Sequence, residues 1–382
     1  MSTKKLITFI VMTLFMCLLT ITPAHAQKSI IGMTTMAIGS SGHVSASAAA
    51  EILKQQTGAK VRVIPIAAQM PRVNLLRSGQ VQFGFFPGNA LYNLQTGIQD
   101  FAKIEWGPQP LRVVYQGASY LAPLTTKKHE DINRIADVRG KRVTTLKRKS
   151  SYILAQSMWA FGGLTRDDVK QIPVPGYTAQ IKALMAGQVD VASYVNPASS
   201  ILYEAEASPR GIKWLSLPMG DEEAWKRLRS FSPEGAPAVY TIEAPGLKKG
   251  ETLGCFSHAY AFVAYEDQDP DLVYLLVKTI WENHDRLQAI AKPWKVYTKE
   301  IALSTKFPHV FHKGAIRYYK EKGLWTSELE DWNRKQLGIQ KKLKDRWEVT
   351  LDEALAKKWK PKMLEEEWNK RQMEITGYEV PK

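Results

Sequence analysis

The chain has 382 residues, 45% of them hydrophobic and 23% charged, a composition that fills a globular core and excludes a fibrous or disordered protein. Lys plus Arg number 52 against 37 for Asp plus Glu, a formal charge of +15 that suits an anionic partner: nucleic acid, anionic lipid or a small acidic ligand. Two cysteines exclude a disulfide scaffold, and no Cys/His spacing of the zinc type occurs.

The first segment decides which side of a membrane the chain is expected to work on. Lys4 and Lys5 open it, Leu6 to Thr22 is apolar apart from threonines, and Pro23-Ala24-His25-Ala26 follows. This pattern predicts a secretory signal peptide, residues 1–26, cleaved after Ala26. Its small-residue site stands at the expected distance, which argues against a permanent anchor. Cleavage would leave 50 basic and 37 acidic residues, a charge of +13, and Cys255 as the single cysteine, expected as a small core residue. No later apolar run approaches the length that spans a bilayer. A periplasmic location is therefore expected, nucleic acid drops out as a partner, and attraction of a small anion becomes the use expected for the charge.

From Lys28 short β-runs alternate with helical stretches. Ser29 to Thr34 reads as a strand, and Ala37-Ile38-Gly39-Ser40-Ser41-Gly42 leads into a helix over about 43–56, with Val44, Ala48 and Ile52 spaced four apart. Val61 to Ile66 is a second strand; Pro71 opens a helix with Val73, Leu75 and Leu76 inward; Val81 to Phe86 is a third strand. The rhythm restarts with a strand at 141–146, a helix at 150–161, strands at 169–174 and 189–195, and a helix at 179–185 between them. Such alternation predicts α/β units with a largely parallel sheet, and its repetition predicts two lobes with a crevice between them. Further along, 212–217 reads as a strand, 222–229 as a helix, 232–252 as a Pro- and Gly-rich loop, 258–265 as a strand and 270–287 as an amphipathic helix. The tail from Ser327 is helical and charged, and its Trp332, Trp347, Trp359 and Trp368 are expected to pack it against the body.

Enzyme motifs are largely absent: there is no G-x-S-x-G elbow, no phosphate loop ending in Gly-Lys-Ser/Thr and no H-E-x-x-H. His309 and His312 have a helix-compatible metal spacing, but Pro308 and Gly314 argue against a helix there and no carboxylate lies close, so no metal and no cofactor is expected. The informative feature is a pair of helix starts. A helix N-terminus offers free N–H donors and partial positive charge, suited to a carboxylate. Gly39 to Gly42 places small residues and two hydroxyls at the first start; Ser150-Ser151, preceded by Lys147, Arg148 and Lys149, does so at the second. The same serines serve equally well as ordinary N-caps and the basic run as a solvated turn, and spacing alone leaves both readings open.

Four stretches carry a family resemblance. They are Ile31-Gly32-Met33-Thr34 through Gly39-Ser40-Ser41-Gly42-His43; Asn74-Leu75 through Gly79 to Gln82; Asp137 to Val143 with Leu164 to Val169 and Leu184 to Val191; and His312-Lys313-Gly314-Ala315-Ile316-Arg317-Tyr318-Tyr319 through Gly323. In this order they resemble the TAXI-type solute receptors of tripartite ATP-independent periplasmic (TRAP) transporters, over about residues 30–325. The sequence departs from that pattern at Gln82, where the family has Asp, at Met70-Pro71, where it has Gly-Ser, and at Leu146 to Ser150, where Lys-Arg-Lys replaces a glycine-rich turn.

The resemblance implies a two-lobed α/β periplasmic binding protein fold of type II with a helical C-terminal extension. Lobe 1 is expected over 27–115 plus 255–325, lobe 2 over 116–254 and the extension over 326–382. It implies a monomeric, non-enzymatic receptor that captures a small organic anion, a carboxylate or acidic amino acid, by hinge closure and hands it to a TRAP-type permease. The expected ligand contacts are Gly39, Ser40, Ser41, Gly42 and His43, with Asn74 and Asn89 behind them, and Arg148, Ser150, Ser151, Tyr152, Tyr194 and Asn196 from lobe 2. Arg148 would pair with the anion, and Tyr152 and Tyr194 would form an aromatic lid or else be core tyrosines. A periplasmic sensor feeding a receptor kinase and an exported enzyme on the same scaffold are the competing classes; the enzyme would need a base and nucleophile converging in the cleft.

Overall fold

The computed structural model describes residues 30–36, 38, 40–66, 68–147 and 149–381. The expected signal peptide and the expected contacts Gly39 and Arg148 lie outside these residues.

The first lobe begins with β1 (Ile30–Thr35), α1 (Ser41–Thr57), β2 (Lys60–Pro65), α2 (Gln69–Arg77), β3 (Phe83–Pro87) and α3 (Gly88–Thr96). β1 pairs in parallel with β2, Met33 facing Val63, and with β3, Met33 facing Phe83. Ser40 caps α1 by accepting the His43 amide, and Gly58 ends it at φ 64°, a left-handed conformation that costs glycine little. The buried face of α1 is Ala46, Ala49, Ala50, Ile52 and Leu53. Val44, expected inward, is exposed instead, because the helix turns its alanines to the sheet, where small side chains allow close approach.

Two long strands carry the chain between lobes: β4 (Leu111–Thr125), and β10 (Leu253–Tyr265) on the return. They run antiparallel over most of their length, with Ala118 facing Ala259. The later half of β10 pairs with β3 in the first lobe, Ala261 facing Phe86. Cys255, fully buried near its other end, faces Ala238 of a neighbouring strand, and burial pushes its thiol pKa well up. β4 was not legible as a strand, since Gly117 and Pro123 interrupt its apolar run.

The second lobe repeats the plan with β5 (Arg142–Leu146), α4 (Lys149–Phe161), β6 (Lys170–Val174), α5 (Tyr177–Met185) and β7 (Ala192–Val195). β5 pairs in parallel with β6, a Val143–Val191 bridge joins it to the β7 side, and β7 pairs with the far end of β4. α6 (Ile201–Ala207), β8 (Lys213–Trp214), α7 (Glu222–Arg229) and β9 (Gly235–Tyr240) complete it. The stretch expected as loop at 232–252 thus contains β9, which tolerates Pro237 and Gly235 because it pairs on one side only, with β10.

After β10, α8 (Pro270–Glu282) packs on α1 and β4, and Asn283 separates it from α9 (His284–Ile290), splitting the single helix expected there. α10 (Lys299–Ala302) and α11 (Lys313–Glu321) return to the first lobe. The tail is an antiparallel hairpin of α12 (Ser327–Ala356) and α13 (Pro361–Thr376), pinned by Arg371 on Glu353 and Arg346 on Glu374. Trp368, fully buried, packs edge-on to Trp347 at 5.0 Å in a cluster with Tyr92 and Ile98 of the body. The molecule is thus a two-lobed α/β protein with a helical C-terminal region.

Candidate interlobe binding site

The crossing strand β10 presents Phe256, His258, Tyr260 and Phe262 at alternate positions, so their rings share one face of the sheet. Tyr260 is the centre of this row. His258 stacks beside it at 6.3 Å and Phe85 meets it edge-on at 5.1 Å. From the first lobe the Ser41 hydroxyl, in the first turn of α1, lies near the Tyr260 phenol and favours its ionised form, and the phenol reaches the Met36 sulfur at 3.8 Å. Gly42 packs closely here: a Cβ at this position would lie 2.1 Å from the Met36 methyl, the end of a flexible side chain, and 3.0 Å from the Phe85 ring.

Arg72 comes to the same place from α2. Its side chain is fully buried, with the guanidinium 5.1 Å from the centre of the Phe86 ring. Burial pushes the Tyr260 hydroxyl up to about 12, against the pull of the Arg72 cation and of Ser41, so the phenol stays protonated at neutral pH. His258, also buried, is pushed down to about 4 and is neutral at pH 7; its Nδ1 has no partner among the described residues.

From the second lobe Tyr177, the first residue of α5, lies close enough to Tyr260 for its hydroxyl to disfavour Tyr260's ionisation. Its oxygen accepts the Asn196 amide at 2.6 Å and is 2.9 Å from the Ser199 hydroxyl, and its ring is 6.4 Å from Tyr194. Asn196 ties the end of β7 to the crossing strand by donating to Ser119 Oγ at 3.2 Å, while its Oδ1 accepts from Ala198.

Of the expected contacts, Ser41 and Gly42 therefore stand at the Tyr260 cluster, with Tyr194 and Asn196 beside Tyr177, while Ser40 and His43 form the cap of α1. Ser150 and Ser151 occupy the first turn of α4, whose Lys149 pairs with Glu365 of the tail at 2.6 Å. Tyr152 donates to Gln171 at 2.9 Å and meets Trp159 edge-on, both contacts within its own lobe. Asn74 is exposed on α2 and Asn89 accepts its neighbour's amide, that of Ala90. Arg72, Tyr177, His258 and Tyr260 were not singled out from sequence. The period-two row of rings in β10 and an arginine directly preceding inward-facing Val73 were the available signals.

His309 and His312 lie in extended chain beside β4, both buried and pushed down, to about 3 and about 4. His309 Nδ1 is 2.9 Å from Gln95, and His312 caps α11. No group of three His, Cys, Asp or Glu is placed to hold a metal among the described residues.

With this geometry in hand, comparison with known proteins fixes the family. The profile of the NMT1-like family matches residues 37–323. The chain belongs to the NMT1-like family. No curated protein matches it. Among solved structures it is similar to a putative periplasmic sulfonate-binding protein of a sulfonate ABC transporter, SsuA from Methylobacillus flagellatus KT, at 17% identity and TM-score 0.43 over 78% of this chain and 88% of that one. It is likewise similar to the amino acid ABC transporter substrate-binding protein AbpA from Streptococcus pneumoniae bound to L-arginine, at 13% identity and TM-score 0.42 over 70% and 96%. A third similar structure is the VFT2 domain of BvgS from Bordetella pertussis, at 13% identity and TM-score 0.41 over 69% and 93%.

Proposed function

We propose that this member of the NMT1-like family is a periplasmic solute-binding receptor, not an enzyme, that closes its lobes on a small organic anion and delivers it to a membrane permease. The observation that carries the reading is the fully buried Arg72, with Ser41 and the protonated Tyr260 beside it and Tyr177 approaching from the other lobe. A cation and hydroxyl donors fit a carboxylate or sulfonate, and the neighbouring rings Phe85 and His258 fit an apolar body. Charge-assisted hydrogen bonds contribute about 1.5–3 kcal/mol each, so three of them, less ordering costs, accord with micromolar binding at about 8 kcal/mol. Ser40 and His43 shape the first-lobe wall, Tyr194 and Asn196 hold Tyr177, and Arg148, Ser150 and Ser151 are the second-lobe candidates for a further anion contact.

The TAXI-like motifs favour a TRAP permease as the partner; SsuA and AbpA, two of the similar structures named above, belong to ABC transporters, which makes an ABC permease the competing partner. Export follows from the signal pattern of residues 1–26, and no described helix is long and apolar enough to cross a membrane. The test is a thermal-shift screen of the mature protein against organic acids, amino acids and sulfonates, followed by calorimetry. A ligand at 100 times its Kd adds about 2.7 kcal/mol of stability. An anion that binds the parent and fails to bind Arg72→Met supports the reading; equal binding by that variant overturns it.

A further inference from the structure

The C-terminal hairpin touches both lobes. On the first lobe its anchors are apolar and deep: Trp368 is fully buried and donates to the Thr96 carbonyl at 3.2 Å, and Trp347 lies against Gly107. Gly107 has φ +70°, and a Cβ there would come within 2.2 Å of the Trp347 indole nitrogen, so the residue is fixed as glycine by both conformation and contact. Asn333 Oδ1 accepts the Phe311 amide at 2.9 Å, and Gln340 holds Arg112.

On the second lobe the anchors are few and polar. Glu365 pairs with Lys149 in the first turn of α4 at 2.6 Å. Beyond α13 the chain places Tyr378, which donates to the Phe231 carbonyl at 2.8 Å, between α7 and β9. Its ring meets Tyr92 of the first lobe edge-on at 5.9 Å. Glu234, buried at the start of β9, completes this three-way junction: its charge bears on both tyrosines, and Oε1 has no hydrogen-bond partner among the described residues.

The same segment therefore grips the first lobe with tryptophans and the second with two polar contacts, across a hinge made of two strands. Opening the lobes about β4 and β10 has to break one grip, and the weaker is on the second lobe. We propose that the C-terminal hairpin is an interlobe strap, anchored on lobe 1 and latched on lobe 2 through Tyr378 and Glu365, that holds the lobes together before any ligand arrives. Solute entry in this chain then requires the latch to release, and the strap sets how often that happens. The inference rests on the two-lobed architecture alone and stands whatever the solute is.

The experiment uses the full mature chain without ligand. Lys60→Cys and Lys170→Cys place spin labels on exposed edges of the two lobes, and buried Cys255 stays unlabelled. Electron–electron distance measurements should give one narrow interlobe distribution in this background. Adding Tyr378→Phe and Glu365→Gln, which keep the ring packing and the helix, should add a longer-distance population, with the open-to-closed ratio raised about tenfold, as expected for losing hydrogen bonds of ordinary net strength. Circular dichroism checks that the variant stays folded. A distribution unchanged by the two substitutions, or one already broad in their absence, overturns the strap.

Discussion

The starts of α1 and α4 were expected to be equivalent, each following a parallel strand through a turn of small residues. The structure gives them different neighbours. At α1, Ser41 reaches Tyr260 on the crossing strand, with Arg72 buried nearby. At α4, Lys149 is held by Glu365 of the tail and Tyr152 by Gln171 of the same lobe, while Tyr177 of α5 approaches Tyr260. Repetition of a strand–turn–helix plan therefore does not make two helix starts functionally alike. What surrounds each start decides, and the tail surrounds only one of them.

Four measurements break or sharpen this contrast. The largest effect is expected at Trp368→Ala, which empties the centre of the tail cluster and should cost about 3–5 kcal/mol of stability by chemical denaturation. A two-state loss of that size means tail and body unfold together; a separate early transition would make the tail an independent unit.

Glu234 comes next. Its folded pKa is raised to about 7 from an ordinary 4.5 by burial, so the stability it permits is fully present below about pH 4.5 and is lost as pH rises through 7. Glu234→Gln should match the parent in unfolding free energy near pH 4 and exceed it by pH 8, by a margin on the order of 3 kcal/mol. The groups facing this carboxyl, Tyr92 and Tyr378, remain neutral over that range. Equal melting curves at both pH values would place the carboxyl in contact with solvent.

Arg72→Met should weaken binding of the best anion by about 1.5–3 kcal/mol in calorimetry, a factor of ten or more. The smallest effect is expected at Lys149→Met, whose partly exposed pair with Glu365 is worth about 0–1 kcal/mol. If Lys149→Met weakened anion binding as much as Arg72→Met, the two helix starts would be equivalent after all.

Much of the fold was legible. The strand–helix alternation of both lobes follows from apolar runs punctuated by Gly58, Gly79 and Gly187, whose positive φ values end elements as their spacing suggested. The crossing strand β4 was not, because Gly117 and Pro123 break its pattern while pairing with β10 supplies what local sequence does not. Within the site, the small residues at 40–42 marked the α1 start, where Gly42 packs closely against Met36 and Phe85. Arg72 was hidden because its burial depends on Phe86, from another element, and Tyr260 because a ring in a strand reads as core until its neighbours are known.

Cys255 has a practical consequence. Fully enclosed near the start of the second crossing strand, it reacts with an alkylating reagent only when that end of the strand comes away from its neighbours. Its modification rate in native buffer is therefore a clock for the parting of β9 from β10, one that ordinary rocking of the two halves would leave untouched.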